Sequence, residues 1–183
     1  MGDYYQTIVD LEADIQSAGT LAARVRDWMI WQQVIVAQKT DCVMLRDLGH
    51  APGANYIMAV GKSYPMLFEV SPNGVSFVAE RSVFYSMGIG DPTLMCSVCK
   101  RRFRDNDAWS AAIGDWYKAH GPGMLACEHC GAEAPITEWQ HEPPWAFANF
   151  GIEFWNWPQL REQFLNKISE VLEHRVRVVY GKV

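Results

Sequence analysis

Three observations place this chain in the α+β class. Apolar residues recur at helical spacing near the start, short alternating runs separated by turns fill the middle, and residues 146–180 read as strand, helix, strand. Together they predict a mixed β-sheet with an N-terminal helical hairpin, a C-terminal β-α-β unit and one small module inserted between. At 183 residues, 49% hydrophobic and 20% charged, the chain suits one domain plus an insert and has apolar side chains enough for a core.

Residues 3–17 carry Ile8, Leu11 and Ile15 at helical spacing, and Gly19 ends that run. Thr20 suits the N-cap of a second helix to about Gln33, with Leu21, Val25 and Trp28 on its apolar stripe. The two make the helical hairpin. Residues 40–56 are rich in turn formers, and Gly49-His-Ala-Pro-Gly53 puts His50 on a loop. Met66, Phe68 and Val70 alternate with their neighbours, Ser71-Pro-Asn-Gly74 turns the chain, and Val75, Phe77 and Ala79 return, which predicts a β-hairpin. Val83-Phe-Tyr85 extends that sheet. The segment 88–92 breaks the pattern and begins the insert, and His141-Glu-Pro-Pro144 ends it, because two prolines deny ladder donors. The expected division is a discontinuous main domain, 1–91 and 142–183, with an inserted module, 92–141. In the main domain's second part, Ala146–Trp155 reads as a buried aromatic strand. Pro158 suits the first turn of a helix carrying Leu160, Phe164, Ile168 and Val171 or Leu172 on one face, and Val176, Val178 and Tyr180 alternate in a closing strand.

The insert holds the most specific feature of the chain, Cys96-Ser-Val-Cys99 and Cys127-Glu-His-Cys130. Two residues between paired cysteines let both thiolates reach one tetrahedral ion, and two such pairs complete a four-cysteine shell, the arrangement of structural zinc. Redox dithiols are a rival, though one pair suffices for them. Haem attachment is excluded, since Lys100 and Gly131, not His, follow the pairs. Disulfides require an oxidising compartment, and Met1-Gly-Asp-Tyr has neither the basic nor the apolar region of a secretory leader, so the cytoplasm is expected. His120, His129 and His141 lie near, but four sulfurs already saturate an ion.

Cys127-Glu-His-Cys130-Gly131 resembles the second knuckle of zinc ribbons and rubredoxin-like modules, where the glycine lets backbone amides turn toward the sulfurs. Cys96-Ser-Val-Cys99-Lys100 resembles the first, which often carries a basic residue next. The resemblance covers about residues 94–135 and implies a zinc site of four thiolates on Cys96, Cys99, Cys127 and Cys130. It departs from the pattern in spacing: 27 residues separate the knuckles, and Asn106–His120 among them reads as a helix, so the ribbon is an elaborated one.

Composition bounds the function. The formal net charge is −5, against the basic footprint of a general nucleic-acid binder, and no apolar run is long enough to span a membrane. Arg101, Arg102 and Phe103 follow the first knuckle and could track phosphates and stack on a base, yet residues 92–140 hold five Lys/Arg and six Asp/Glu. Trp139, Trp145 and five further aromatics crowd residues 139–157. Most such residues belong to a core, but Trp139 and Trp145 flank the proline break and are the expected exposed anchors of an interface. Cys42 reads as a small buried hydrophobe. No nucleophile elbow, phosphate-binding glycine loop or assignable carboxylate pair is present, so no catalytic residue is expected. The chain therefore reads first as a zinc-binding, non-enzymatic protein-interaction or regulatory module. A nucleic-acid-associated zinc ribbon is second, and an enzyme with a pocket near His50 is third.

Overall fold

The computed structural model describes residues 2–88, 90 and 92–183 and belongs to the α+β class. In chain order the elements are β1 (Tyr4–Asp10), α1 (Ala18–Trp31), β2 (Ile35–Thr40), β3 (Gly49–Pro52), α2 (Ile57–Val60), β4 (Val75–Val78) and β5 (Ser82–Phe84). There follow β6 (Thr93–Met95), β7 (Arg102–Arg104), α3 (Asp107–Tyr117), β8 (Met124–Ala126), β9 (Glu133–Pro135) and β10 (Gln140–Glu142). The chain closes with β11 (Ala146–Ala148), β12 (Phe150–Trp155), α4 (Glu162–Leu172) and β13 (Val176–Lys182). Within the break expected at 88–92, Ile89 and Asp91 lie outside the described residues.

Six strands form the main sheet in the order β13-β1-β12-β4-β3-β2. Every pairing among the described residues is antiparallel, where a mixed sheet was expected. β12 and β13 do run in the same direction, as the strand-helix-strand reading requires, but β1 lies between them and pairs with both. The crossover is therefore split, and α4 passes over β1.

The first expected helix, 3–17, is instead strand β1 with a turn, so there is no helical hairpin. β1 is internal to the sheet and buried on both faces: Gln6, Thr7, Ile8, Val9 and Asp10 are all buried. Its Tyr-Tyr-Gln-Thr-Ile-Val run suits a pleated, two-sided environment better than a helix surface. α1 then begins before Thr20, because the Asp14 carboxylate accepts from the amides of Gln16 and Ser17 and turns the chain early. Gly19 thus sits inside the helix rather than beyond one.

Three further expectations are corrected. Residues 65–69 form a 3-10 turn, not a strand, and β4 pairs with β12 and β3, leaving no edge for a hairpin partner. β5 leaves the main sheet and pairs with β11. Pro158 does not start α4: the backbone of 157–160 is tied to the buried Gln6 amide, which donates to the carbonyls of Trp157 and Pro158 and accepts from the Leu160 amide. The helix can begin only after that segment, at Glu162.

One core lies between the sheet and its helices. Ile8, Val75, Phe150, Ile152 and Phe154 meet Leu21, Val25 and Met29 of α1 and Phe164, Ile168 and Leu172 of α4. The opposite face packs Val9, Val78 and Val179 against Phe84, Ala146 and Ala148 of the β5–β11 ribbon. Gly151 makes that seat possible, since a Cβ there would stand 2.6 Å from the Phe84 ring. A second core belongs to the cysteine module, with Leu94, Trp109, Ala112, Trp116, Leu125, Ile136 and Trp139 at its centre. No helix among the described residues is long and apolar enough to cross a membrane.

Candidate metal centre

Each cysteine pair sits at the turn of a two-stranded hairpin. β6 and β7 flank Cys96 and Cys99, and β8 and β9 flank Cys127 and Cys130. The two turns repeat one hydrogen-bond pattern. Cys96 N–H donates to Arg101 and Lys100 N–H donates back to Cys96, while Cys127 N–H donates to Ala132 and Gly131 N–H donates back to Cys127. The residue after the second cysteine is left-handed in both, with φ 59° at Lys100 and 70° at Gly131. The resemblance implied a glycine for this geometry at Gly131. At Lys100 the same turn is imposed on a residue with a Cβ, which costs about 1–2 kcal/mol.

The hairpins bring the four sulfurs together. Cys96 Sγ lies 3.8 Å from Cys130 Sγ and Cys99 Sγ 3.7 Å from Cys127 Sγ, and all four lie within 4.8 Å of one another. A disulfide would need about 2.05 Å. A tetrahedron of sulfurs about 2.3 Å from a central ion has edges of about 3.8 Å, so this spacing fits a tetrahedral thiolate site. Cys96 and Cys127 are buried and Cys130 is exposed, so the shell opens to solvent on one side. Amides of Cys99 and Val98 aimed at Cys96 draw its thiol down to about 6. The Ala132 amide favours the Cys130 thiolate, but desolvation and the adjacent Cys127, Cys99 and Cys96 sulfurs outweigh it and push that thiol up to about 11. Four thiolates this close cannot coexist without a cation between them, and a metal entering the shell displaces the protons.

Helix α3 explains the long spacing. It crosses beneath the knuckles and contributes Trp109, Ala112 and Trp116 to the same core as Cys96 and Cys127. Its cap is Asn106, whose Oδ1 accepts from the Trp109 amide at 2.8 Å and whose Nδ2 donates to Glu128, inside the second knuckle. Asn106 therefore fixes the helix start against the cysteine turn. The Asn-Asp pair opening that helix is the sequence signal for it.

The expected interaction residues divide. Trp139 is 4% exposed, so it is no surface anchor. The 3-10 turn before it folds it under Phe103, ring to ring at 5.4 Å, and its indole N–H donates to Ala134. Phe103 is held in this contact rather than free to stack on a base. Trp145 is half-buried, stacked on His141 at 5.6 Å and packed against Trp109 at 5.0 Å. Arg101 and Arg102 are exposed, and Arg102 pairs with Glu142 at 2.8 Å.

His141, which the sequence places near the cysteines without a role, is held on both ring nitrogens. Its Nδ1 lies 3.0 Å from the Trp139 carbonyl and its Nε2 3.3 Å from the Trp109 indole nitrogen. A carbonyl only accepts and an indole only donates, so the ring is neutral with its proton on Nδ1. Burial holds its pKa down at about 4. It is a structural member of the module core, not a ligand. His120 and His129 are exposed, and none of the three joins the cysteine cluster.

His50 lies on strand β3, 3% exposed, not on a loop. Cys42 is buried beside Val43 and Trp155. No protein-family model, curated protein or solved structure matches this chain.

Proposed function

We propose that this chain is a zinc protein in which Cys96, Cys99, Cys127 and Cys130 hold the ion for a structural purpose, and that it works without catalysis, by binding another protein. The observation that carries the metal reading is the closed all-cysteine shell with tetrahedral sulfur spacing. Thiolates select soft or borderline ions, and four of them leave no open position for substrate or water. All five cysteines are free of disulfides, in keeping with a reducing cytoplasm. Elemental analysis of protein purified without added metal should give one zinc per chain. A folded, metal-free sample with four titratable thiols in the cluster would overturn the reading.

The interaction reading no longer rests on Trp139. What supports it is the acidic balance of the chain and Val98, 69% exposed at the tip of the first knuckle. A nucleic-acid reading keeps one observation, the exposed run of Lys100, Arg101, Arg102 and Arg104. Retention on heparin that falls steeply with salt would move it ahead. The proposed division remains a main domain of 1–91 and 142–183 with an inserted module at 92–141.

A further inference from the structure

A cleft of about 510 Å³ opens between α1 and the β2–β3–β4 side of the sheet, far in the chain from the cysteine module. α1 lines it with small residues, which leaves the space open. Gly19, Ala22 and Ala23 form one wall, and His50 and Phe77 form the floor. The volume lies in the range of small-molecule sites.

The chemistry of the cleft is uneven. Arg26, Lys39 and Arg46 reach it as cations, and Asp47 is the one carboxylate among its lining residues. Both arginines are held by acids that do not line the cleft. Arg26 uses Nε and Nη2 on Asp27, and Arg46 uses Nη1 on Glu80 and approaches Glu153 with Nε at 3.8 Å. These pairs orient the guanidinium groups, and each arginine keeps one terminal nitrogen without a partner among the described residues. Lys39 makes no ion pair among the described residues.

The floor adds an independent feature. His50 is 3% exposed, its Nδ1 donates to the Val36 carbonyl at 2.9 Å, and its Nε2 is buried with no partner among the described residues. With the proton committed to Nδ1, Nε2 is an acceptor. Burial, with Lys39 and Arg26 close by, lowers the pKa of the ring and keeps it in that neutral form.

We propose that this cleft binds a small hydroxylated phosphate ester, with the phosphate on Lys39, Arg26 and Arg46 and a ligand hydroxyl donating to His50 Nε2. The unpaired Lys39 ammonium and one open guanidinium nitrogen on each arginine offer donors to several oxygens of one phosphate, more than a single carboxylate presents. Two acceptors, His50 Nε2 and the Asp47 carboxylate, call for hydroxyl groups on the same ligand. The inference stands apart from the cysteine site, whose loss would not bear on it.

The test uses the full chain with its metal, titrated with glycerol 3-phosphate, inorganic phosphate and glycerol by calorimetry and by ¹⁵N spectra of the histidine rings. Glycerol 3-phosphate should bind best, glycerol least, and the ester should shift the His50 Nε2 resonance. Lys39→Gln should weaken the ester about tenfold, the loss of one charge-assisted contact. Gly19→Leu should fill the cleft and remove binding while the fold survives, because a Cβ at Gly19 meets nothing within 4 Å. Absence of binding by the ester, equal binding of glycerol, an unmoved His50 resonance, or full affinity in Gly19→Leu would each overturn the proposal.

Discussion

His141 should make the cysteine module acid-sensitive through a group outside the four-sulfur cluster. Its ring pKa falls from the ordinary 6.5 to about 4 because the neutral ring is buried between the Trp109 indole N–H and the Trp139 carbonyl. A histidine with a lowered folded pKa is neutral in the fold at a pH where the unfolded chain has already taken up a proton. Its contribution is therefore complete above the unfolded pKa and shrinks as pH falls toward the folded one. At pH 7.5 nearly all of it is present. By pH 5.5 the unfolded histidine is protonated about tenfold over neutral, which removes about 1.4 kcal/mol. For a chain of this size that corresponds to about 3–5 °C in Tm. The assay compares thermal melts of metal-loaded wild type and His141→Gln at the two pH values. Gln cannot titrate, so its melting temperature should fall less by about that amount, and effects from the cysteines or His50 cancel in the difference. A ring titration by NMR should place His141 well below 6.5. An ordinary ring pKa, or equal pH slopes in the two proteins, would refute the reasoning.

Two further outcomes follow from backbone and buried polar groups. Gly131→Ala should weaken metal retention against a chelator by about 1–2 kcal/mol, since φ is 70° and no atom crowds the site, while Lys100→Gly at the matching turn should not weaken it. Asp10 is 1% exposed and accepts from the amides of Glu12 and Ala13 and from His174 Nδ1, so Asp10→Ala should lower stability in urea by about 2–3 kcal/mol, and Asp10→Asn by less.

What was legible in the sequence was what depends on near neighbours. The cysteine pairs could be read because both ligands of a knuckle lie three residues apart. Helix α3, expected at 106–120 and found at Asp107–Tyr117, carries its own cap in Asn106. β12 and β13 declared themselves by dense apolar and alternating runs. β1 did not, because an internal strand buries both faces: Gln6 and Asp10 go inward to bond backbone groups, polar alternation disappears, and Ile8, Leu11 and Ile15 imitate a helical stripe. The 66–70 run alternates like a strand but has no partner, since both sides of β4 are taken. Trp139 looked exposed because prolines follow it, yet exposure was decided by Phe103, distant in sequence.

The least legible element is the one that joins the two cores. β5 and β11 form a two-stranded ribbon whose side chains alternate between them. Phe84, Ala146 and Ala148 face the main sheet, while Val83 and Phe147 pack on the module core. Arg81 reinforces the joint between the two cores, donating to the Trp116 carbonyl at 2.6 Å and lying over the Trp116 ring at 4.0 Å. Arg177 of β13 donates to the carbonyl of Trp145, whose ring packs on Trp109 of the second core. The module is therefore seated on the sheet through shared packing rather than carried on a loose tether. A metal that closes the cysteine shell stabilises Trp109, Trp116 and Trp139, and these are the surfaces against which one face of the ribbon packs. A metal held there would thus bear on how firmly the main sheet holds the ribbon, although no cysteine of the cluster belongs to the main sheet's own core.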